Sequence, residues 1–268
     1  MTSFATDRFV TGLLIAAALD LVAFGVTWLI GKRLGRFNVV DVTWSLAIAA
    51  MGVTAFCWSS GVGADSTRRW LVLAMSVVWG LRLAGHIGNR SRGHGEDHRY
   101  ATILSRAPGS KATYALKRVI LPQAVIAFAI SMPLQVAMYE RSGNTALDVV
   151  GAVIWLTGLS FEAVADQQLH TFTRSRRSSK DVMDTGLWRY SRHPNYFGEA
   201  LLWVGLWLPA AAQWPGLITI LSPVIVTYLV GFASGKPMLE KAMAKRKPAY
   251  ADYMKRTSGF IPLPARRR

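Results

Sequence analysis

The stretch FVTGLLIAAALDLVAFGVTWLI extends from Phe9 to Ile30 and contains one charged residue, Asp20. About 20 apolar residues in an α-helix span the hydrocarbon core of a bilayer, which is about 30 Å thick. The stretch lacks the two-residue alternation of apolar and polar side chains that is typical of membrane strands. Its leading segment carries only Arg8, offset by Asp7, which is unlike a signal peptide. We therefore predict a membrane-spanning helix here.

Further runs of about 20 largely uncharged residues follow the first. They are predicted at Val39–Trp58, Trp70–Ile87, Val119–Met138, Ala146–Ala165, Tyr196–Gln213 and Pro215–Ala233. Backbone groups in lipid must be satisfied within the chain, so runs of this length favour α-helices over a barrel. The sequence predicts an all-α membrane protein: a seven-transmembrane helix bundle that forms a single integral-membrane domain over residues 1–268.

The charge balance of the chain is strongly basic, with 31 Lys and Arg against 15 Asp and Glu, although 51% of the residues are hydrophobic. A soluble nucleic-acid-binding protein would be polar over most of its length, so we expect no nucleic-acid partner. Cys57 is the only cysteine, which excludes an internal disulfide.

The basic residues are also unevenly placed: 26 of the 31 follow the first, third, fifth and seventh predicted spans. Cytoplasmic loops collect Lys and Arg. This pattern predicts an N-terminus outside and a C-terminus in the cytoplasm, in a multi-pass protein of the inner membrane if the source is bacterial.

Charged residues inside predicted spans are functional candidates, because they are costly in lipid and usually face a cavity or a partner. Asp20 is interpreted either as a structural hydrogen-bond partner or as facing water. Asp41 is either an early-turn acid favoured by the helix dipole or part of a pocket with Asn38 and Trp44. Arg82 follows Trp79 by three residues on one helix face, where it forms a structural ion pair or meets Asp41 or a ligand phosphate.

Two other acidic and basic segments lie near predicted span ends. Glu162 and Asp166 are four residues apart and share a helix face, which suits the ribose hydroxyls or ammonium-like groups of a cofactor better than a metal ion, and we expect no metal site. The segment from His86 to Tyr100 is interpreted as a solvated or phosphate-facing loop in which Glu96 and Asp97 hold Arg90 or Arg99 in place.

The densest signal is GLWRYSRHPNYFGE, from Gly186 to Glu199. A proline favours the first turn of a helix, so a helix beginning near Pro194 would present free N–H groups and a positive dipole end. Neighbouring arginines, Arg189 and Arg192 among them, add the cations that a pyrophosphate requires. The alternative is that these arginines only contact anionic lipid headgroups.

Within this motif, Asn195 and Glu199 lie four residues apart on one helix face. An amide and a carboxylate in this arrangement can bind a carboxamide. We expect Gly198, between them, to let a flat ring approach the backbone.

This motif, together with Phe161–Gln167 and the segment from Tyr250 to Pro262, resembles the DUF1295 branch of the steroid 5-alpha-reductase C-terminal family. Asp41-Val-Thr-Trp44 and the Glu96–Tyr100 segment resemble the same branch, so the likeness extends over most of the chain. The wider superfamily contains NADPH-dependent membrane reductases of steroids and sterols. The resemblance implies a substrate-pocket half at residues 1–140 and a cofactor-binding half at residues 146–262.

By resemblance, Asn195 and Glu199 would hold the nicotinamide carboxamide of NADPH, and Asp166 the ribose or adenosine side. The remaining cofactor-binding candidates belong to the motif or to the basic loop before it: Arg174, Trp188, Arg192, His193 and Tyr196.

The resemblance also implies catalytic residues. In the steroid reductases a Glu in helix two and a Tyr in helix three polarise the substrate ketone. Here Asp41 is the corresponding acid, Trp79 is assigned to the position of the Tyr, and Arg82 completes the catalytic candidates.

The predicted function is reduction, with NADPH, of a C=C bond conjugated to a carbonyl in a hydrophobic, lipid-like substrate. The Arg192-His193-Pro194 core, with Tyr196 and Gly198, also looks like the motif of isoprenylcysteine and phospholipid methyltransferases, which bind S-adenosylmethionine. A methyltransferase and a non-catalytic lipid-binding membrane protein are therefore the alternatives.

Overall fold

The structure is a computed structural model that describes residues 4–141, 143–176, 178, 180–233 and 235–265. Over these residues the regular elements are helical, and the only β-pairing is in the isolated bridges Phe4–Glu140 and Ser191–Ser258. The α-helices are α1 (Thr6–Leu34), α2 (Val40–Trp58), α3 (Ser66–Ser91), α4 (His98–Leu104), α5 (Lys111–Ala115), α6 (Leu121–Ile130), α7 (Met132–Ala137), α8 (Thr145–Ser175), α9 (Pro194–Ala210), α10 (Leu221–Tyr228), α11 (Lys236–Arg246) and α12 (Ala249–Arg256). Single π- or 3₁₀-helical turns lie at Leu116–Ile120, Gly186–Arg189, Gly216–Ile220 and Leu229–Ala233.

Six helical segments in the described part of the chain are long and apolar enough to cross a membrane. They are Thr6–Leu34, Val40–Trp58, Ser66–Ser91, Lys111–Ala137, Thr145–Ser175 and Gly216–Arg246. The protein is therefore a multi-pass integral membrane protein, as predicted. The remaining predicted span corresponds to α9, whose 17 residues give a length of about 26 Å, at the lower limit for crossing a bilayer. The seventh span stays a prediction.

The chain divides into two compact units. Unit 1 comprises Met1–Asp148 and Pro209–Thr219, and unit 2 comprises Val149–Leu208 and Ile220–Arg268. In unit 1, α2 lies against both α1 and α3. A Cβ atom added at Gly80 of α3 would lie 2.7 Å from the Cβ of Ala49 and 2.8 Å from the backbone oxygen of Ser45. Glycine at this position therefore allows α2 and α3 to approach closely.

A buried ion network ties the first turn of α3 to two later segments of unit 1. The guanidinium of Arg68 is fully buried, and its Nη1 lies 2.5 Å from Oε2 of Glu140. Its Nε lies 3.0 Å from Oδ1 of Asp148, in the first turn of α8. Removing one partner of a buried pair leaves a charge uncompensated, at a cost of about 3–5 kcal/mol. The network is therefore a strong constraint on how unit 1 closes.

Unit 2 is built around a close contact between α8 and α9. A Cβ at Gly158 would lie 2.5 Å from the backbone nitrogen of Leu202 and 2.6 Å from the backbone oxygen of Gly198. Gly205, one heptad after Gly198, meets the backbone of Trp155 in the same way. Because these glycines have no side chain, the two helices touch backbone to backbone.

The end of the chain is fastened over the segment that precedes α9. We call residues 249–263 the C-terminal strap. The hydroxyl of Tyr253 donates to the backbone oxygen of Trp188 (2.5 Å), and the hydroxyl of Ser191 donates to that of Phe260 (2.7 Å). The backbone N–H of Leu263 donates to the backbone oxygen of Tyr190 (3.0 Å). These bonds fix the approach of the chain to Pro194, where α9 begins.

Candidate functional site

Asp41, in the first turn of α2, is the centre of a polar cluster in unit 1. Its carboxylate accepts a short hydrogen bond from the phenol of Tyr100, and its Oδ2 lies 2.9 Å from Nη2 of Arg99. Nε2 of Gln123, in α6, donates to the phenol oxygen at 3.2 Å. We call these four residues the Asp41 cluster. It places a phenol, an acid and a guanidinium together at the end of a membrane-spanning helix.

The loop before α4 sets the geometry of this cluster. The carboxylate of Glu96 accepts hydrogen bonds from the backbone N–H groups of Phe37 (2.6 Å) and Asn38 (2.9 Å), just before α2. Oδ1 of Asp97 accepts from the backbone nitrogen (2.8 Å) and from Nε (3.0 Å) of Arg99. The expectation that these acids hold neighbouring arginines is thus correct for Asp97. Glu96 instead binds the backbone that leads into the helix carrying Asp41.

The protonation states of the loop groups follow from their surroundings. Burial, the charge of Asp41 and the hydrogen bond to it raise the pKa of the Tyr100 phenol well above its ordinary value. Burial disfavours the Asp97 carboxylate, but the hydrogen bonds and positive charge of Arg99 outweigh it, so the pKa of Asp97 lies below its usual range. At neutral pH Tyr100 keeps its proton and can donate it in a hydrogen bond, while Asp97 is ionised.

Tyr100 was not among the catalytic residues predicted from the sequence. The phenol position was assigned to Trp79, which is fully buried and packs edge to face against Trp44 with ring centroids 6.0 Å apart. The structure instead brings a tyrosine from after α3 to the acid of α2. The signal is the Glu96–Tyr100 segment, which belongs to the His86–Tyr100 loop that the sequence predicts to be solvated or phosphate-facing. The salt bridge of Asp41 comes from Arg99; the catalytic roles of Trp79 and of the half-buried Arg82 stay predictions.

A second cluster lies in unit 2, between α8 and α9. Nδ2 of Asn195 donates to Oδ1 of Asp166 at 3.1 Å. Glu162, one turn before Asp166, is 2% exposed, and Glu199, one turn after Asn195, is half-buried. We call these four residues the Asn195 cluster. Oδ1 of Asn195 is buried and has no hydrogen-bond partner among the described residues, so an acceptor is left for a ligand N–H group.

Gly198 has a different role from the one predicted. A Cβ at this position would lie 2.6 Å from the backbone nitrogen of Glu162 and 2.6 Å from the backbone oxygen of Gly158. The space beside Gly198 is therefore occupied by α8, and the expectation that a flat ring approaches there is wrong. Gly198 instead allows α8 and α9 to come close enough for Asp166 and Asn195 to meet.

Arg192 binds the C-terminal half of unit 2. Its Nε lies 2.7 Å from Oε1 of Glu240, and its Nη1 donates to the backbone oxygens of Met254 (3.0 Å) and Thr257 (2.6 Å). Through these contacts the guanidinium connects α11 and the strap to the segment that leads into α9. Arg192 thereby positions the start of α9, two residues before Pro194.

His193 belongs to the same arrangement. Its ring stacks on that of Tyr196, with centroids 5.3 Å apart and planes 5° from parallel, and its Nε2 lies 3.2 Å from Oε1 of Glu240. Burial lowers the pKa of His193; Glu240 acts against this shift, and Arg192 and Lys236 add to it. The imidazole is therefore neutral at pH 7 and forms part of the packing at the start of α9.

The remaining predicted residues lie beside α8. Trp188 is 8% exposed, and its indole N–H donates to the backbone oxygen of Ala165 at 3.0 Å. Arg174 is exposed in the last turn of α8. A groove of about 390 Å³ runs along this end of the helix. It is lined by Gln167, Gln168, Thr171, Phe172, Ser175, Met183, Thr185 and Gly186.

The helices and the two clusters define a multi-pass, all-helical membrane protein with buried groups suited to binding a polar ligand. A family described as "Protein of unknown function (DUF1295)" matches residues 27–257. The chain belongs to this family, and the resemblance predicted from the sequence is confirmed.

Two relatives extend this assignment. "Uncharacterized protein C594.04c" of Schizosaccharomyces pombe is 26% identical over 96% of this chain and 80% of that protein. "Steroid 5-alpha-reductase DET2" of Arabidopsis thaliana is 30% identical over 69 residues, 26% of each chain. The second similarity is weak and partial, and it fits a steroid 5-alpha-reductase-like superfamily of membrane proteins. No solved structure matches the chain.

Proposed function

We propose that the protein is a membrane-embedded, NADPH-dependent reductase of a C=C bond conjugated to a carbonyl in a hydrophobic, lipid-like substrate. The observation that carries this proposal is the hydrogen bond from the phenol of Tyr100 to the carboxylate of Asp41. The steroid reductases that the chain resembles polarise the substrate ketone with an acid and a tyrosine. Asp41 and Tyr100 supply this pair of groups. Tyr100 therefore takes the role of the family's tyrosine, which was first assigned to the position of Trp79.

The chemistry of the Asp41 cluster suits this reaction. As hydride adds to the β-carbon of a conjugated carbonyl compound, negative charge develops on the carbonyl oxygen. A hydrogen-bond donor held in place before the reaction stabilises that charge most effectively. In the substrate complex the O–H of Tyr100 would turn from Asp41 to this oxygen, while Gln123 and a protonated Asp41 would donate to the phenol oxygen, and Arg99 would add a positive charge nearby. The proton that completes the reduction at the α-carbon comes from the phenol or from water.

The Asn195 cluster fits the nicotinamide end of NADPH, which supplies the hydride when bound. The buried Oδ1 of Asn195 is a suitable acceptor for the N–H of the carboxamide. Glu199, on the same face of α9, would accept from the second N–H. Asp166 would orient Asn195 and bind a ribose hydroxyl, and the exposed Arg174 is available to the phosphates.

We also propose that α9 is a seventh span, that the N-terminus lies outside, and that the C-terminus is cytoplasmic, in a bacterial inner membrane if the source is bacterial. The concentration of 26 of the 31 basic residues after alternate spans supports this orientation. A reporter fused after Arg268 that is active only in the cytoplasm is the expected result. Activity on the outer face alone would contradict the proposed orientation.

The reductase proposal is tested by separating turnover from cofactor binding. Mass spectrometry of ligand extracted from gently purified protein should identify NADPH or its oxidised form. In the purified protein, Tyr100→Phe and Asp41→Asn should lower the rate of NADPH oxidation with a hydrophobic enone by about 100-fold or more. NADPH affinity, measured by nicotinamide fluorescence, should stay within about twofold for both variants, because neither residue belongs to the Asn195 cluster.

The converse variant and a matched control complete the test. Glu199→Ala should weaken NADPH affinity at least about tenfold, since a charged hydrogen-bond partner is lost. Tyr114→Phe removes a phenol from α5, outside the Asp41 cluster, and should change neither quantity. Unchanged NADPH affinity in Glu199→Ala would overturn the cofactor assignment. Recovery of S-adenosylmethionine in place of the nucleotide would favour the methyltransferase alternative.

A further inference from the structure

Two buried hydrogen-bond donors lie at the end of unit 1 where α1 begins. Tyr139, just after α7, is 1% exposed, and Trp58, the last residue of α2, is half-buried. The Tyr139 hydroxyl and the Trp58 Nε1 are buried and have no hydrogen-bond partner among the described residues. A Cβ atom added at Gly12 of α1 would collide with the phenol oxygen and would lie 3.0 Å from Cδ1 of Trp58. The two donors therefore meet at the same point of α1.

Two arginines lie beside these donors. Cζ of Arg8 lies 5.7 Å from the centroid of the Trp58 ring, and Cζ of Arg69 lies 4.6 Å from that of Phe56. Burial raises the pKa of Tyr139 to about 12, and both arginines act against this shift, so their charges are close to the phenol. In the described part of the chain, neither arginine forms an ion pair with a carboxylate. We call Arg8, Trp58, Arg69 and Tyr139 the Arg8 cluster.

The Arg8 cluster lies at the level where the membrane-spanning helices begin or end. Arg8 and Arg69 are near the starts of α1 and α3, and Trp58 ends α2. Two exposed apolar residues, Ile15 and Leu19, follow Arg8 by seven and eleven positions. This spacing places them on the face of α1 that carries Arg8, deeper in the bilayer. The face thus changes from cationic to apolar along the helix.

We propose that the Arg8 cluster binds an anionic glycerophospholipid, whose phosphate contacts Arg8 and Arg69. An ester carbonyl of the lipid accepts hydrogen bonds from Trp58 and Tyr139. Guanidinium groups bind phosphate oxygens strongly, and a carbonyl oxygen can accept two hydrogen bonds. In the proposed orientation of the chain, this lipid belongs to the outer leaflet.

The order of groups in the lipid favours it over a free anion. A glycerophospholipid presents its phosphate first, then its ester carbonyls and then its acyl chains. The protein presents the matching order, because Arg8 lies at the end of the bundle, the two neutral donors meet at Gly12, and the apolar side chains lie deeper. A free phosphate would satisfy the arginines alone.

A fluorophore on Cys57 gives a measurement confined to this end of the protein. Cys57 is the only cysteine, is exposed and precedes Trp58. In phosphatidylcholine vesicles that contain the full-length protein, a nitroxide-labelled phosphatidylglycerol bound beside Cys57 would quench the fluorophore. Lipids at the other end of the bundle lie about 30 Å away and would not. Recovery of fluorescence on adding unlabelled lipids gives their relative association constants.

Phosphatidylglycerol should bind about tenfold more strongly than phosphatidylcholine with the same acyl chains, because the choline cation is repelled by the arginines. Arg8→Gln should lower the association constant of phosphatidylglycerol about fivefold and leave that of phosphatidylcholine within about twofold. Lys32→Gln is the matched control. Lys32 lies over the ring of Trp28 at the other end of α1, where the indole N–H already donates to the backbone oxygen of Ala112 (2.8 Å). This variant should change neither association constant.

A second variant tests the ester carbonyl. Trp58→Phe keeps an aromatic ring beside Arg8 but removes the indole N–H. It should weaken binding of ester-linked phosphatidylglycerol about fivefold, the effect of one hydrogen bond, and leave the ether-linked lipid, which has no carbonyl, within about twofold. Equal losses for the two lipids would overturn the assignment of the carbonyl.

Three results would overturn the proposal as a whole. They are equal binding of phosphatidylglycerol and phosphatidylcholine, an unchanged preference in Arg8→Gln, and displacement of the nitroxide-labelled lipid by inorganic phosphate alone. Arg8 is exposed, so its replacement should leave folding intact, which circular dichroism checks. None of these measurements needs NADPH or turnover, so their outcome is independent of the reductase proposal.

Discussion

The Asp41 cluster and the Asn195 cluster are positioned by different physical means. Around Asp41, side-chain carboxylates set the geometry, because Glu96 and Asp97 bind the backbone at the ends of two helices. Around Asn195, backbone contacts set the geometry. These contacts are made by the glycines of α8 and α9 and by the C-terminal strap. A change of side-chain volume should therefore disrupt the Asn195 cluster, whereas a change of hydrogen-bonding groups should disrupt the Asp41 cluster.

The largest expected effect comes from adding volume at the helix contact of unit 2. Gly198→Leu would force a side chain into the backbone of α8, where no flexible group can move aside. We expect NADPH affinity to fall by about 100-fold or more and the melting temperature to fall, because Asp166 and Asn195 are moved apart. Nicotinamide fluorescence and thermal unfolding in detergent measure the two effects.

Gly25→Leu is the matched control, because nothing lies within 4 Å of a Cβ added at Gly25 of α1. It should leave NADPH affinity and the melting temperature nearly unchanged. Retention of normal NADPH affinity by Gly198→Leu would contradict the idea that backbone contact positions the Asn195 cluster.

An intermediate effect is expected when the strap is loosened. Arg192→Leu removes the salt bridge to Glu240 and two hydrogen bonds to backbone oxygens. NADPH affinity should fall about tenfold, since the segment before α9 loses its side-chain contacts from Arg192 to α11 and the C-terminal strap. Arg192→Lys keeps the positive charge but lacks the planar guanidinium. Its NADPH affinity should therefore lie between that of the unaltered protein and that of Arg192→Leu. Hydrogen exchange should show faster exchange in residues 249–263 of Arg192→Leu.

The control for this experiment lies on the strap itself. Lys255 and Asp252 form an exposed ion pair (3.2 Å), and exposed pairs contribute little to stability. Lys255→Ala should change neither hydrogen exchange nor NADPH affinity. If Arg192→Leu left both quantities unchanged as well, the role of the strap in positioning α9 would be refuted.

The smallest effect concerns the pH dependence of the Asp41 cluster. The pKa of Tyr100 is raised above its ordinary value of about 10. A group with a raised pKa keeps its proton until the pH rises through that higher value, so the phenol remains a donor at pH 10. With saturating NADPH, turnover should show no fall attributable to a phenol between pH 8 and 10. A loss of turnover with a midpoint near pH 10 would contradict the raised pKa of Tyr100.

The membrane class and most helices could be predicted from the sequence, because apolar runs of about 20 residues are typical of membrane-spanning helices. The predicted span Val39–Trp58 agrees closely with α2. The predicted span Trp70–Ile87 begins later than α3, because the charges of Arg68 and Arg69 ended the apolar run, whereas the structure buries the charge of Arg68 in an ion network. Hydropathy alone does not reveal that a charged residue has a buried partner 72 positions further along the chain.

The candidate site was predictable only where the residues belong to a motif that resembles the family. Asp166 and Asn195 were assigned to one site by resemblance, and the structure brings them into contact. Tyr100 was missed because its position depends on how Glu96 binds the backbone of Phe37 and Asn38, which are distant in sequence. The predicted role of Gly198 was wrong, because a sequence does not show which atoms fill the space beside a glycine.

The ion network of Arg68 also bears on the order in which the chain is made. The partners of Arg68 lie 72 and 80 residues further along the chain. At a synthesis rate of about 5–20 residues per second, Arg68 is made roughly 4 to 16 s before Asp148. Completion of the Arg68 network therefore waits for the first turn of α8, and unit 1 as a whole is complete only after Pro209–Thr219 has been made.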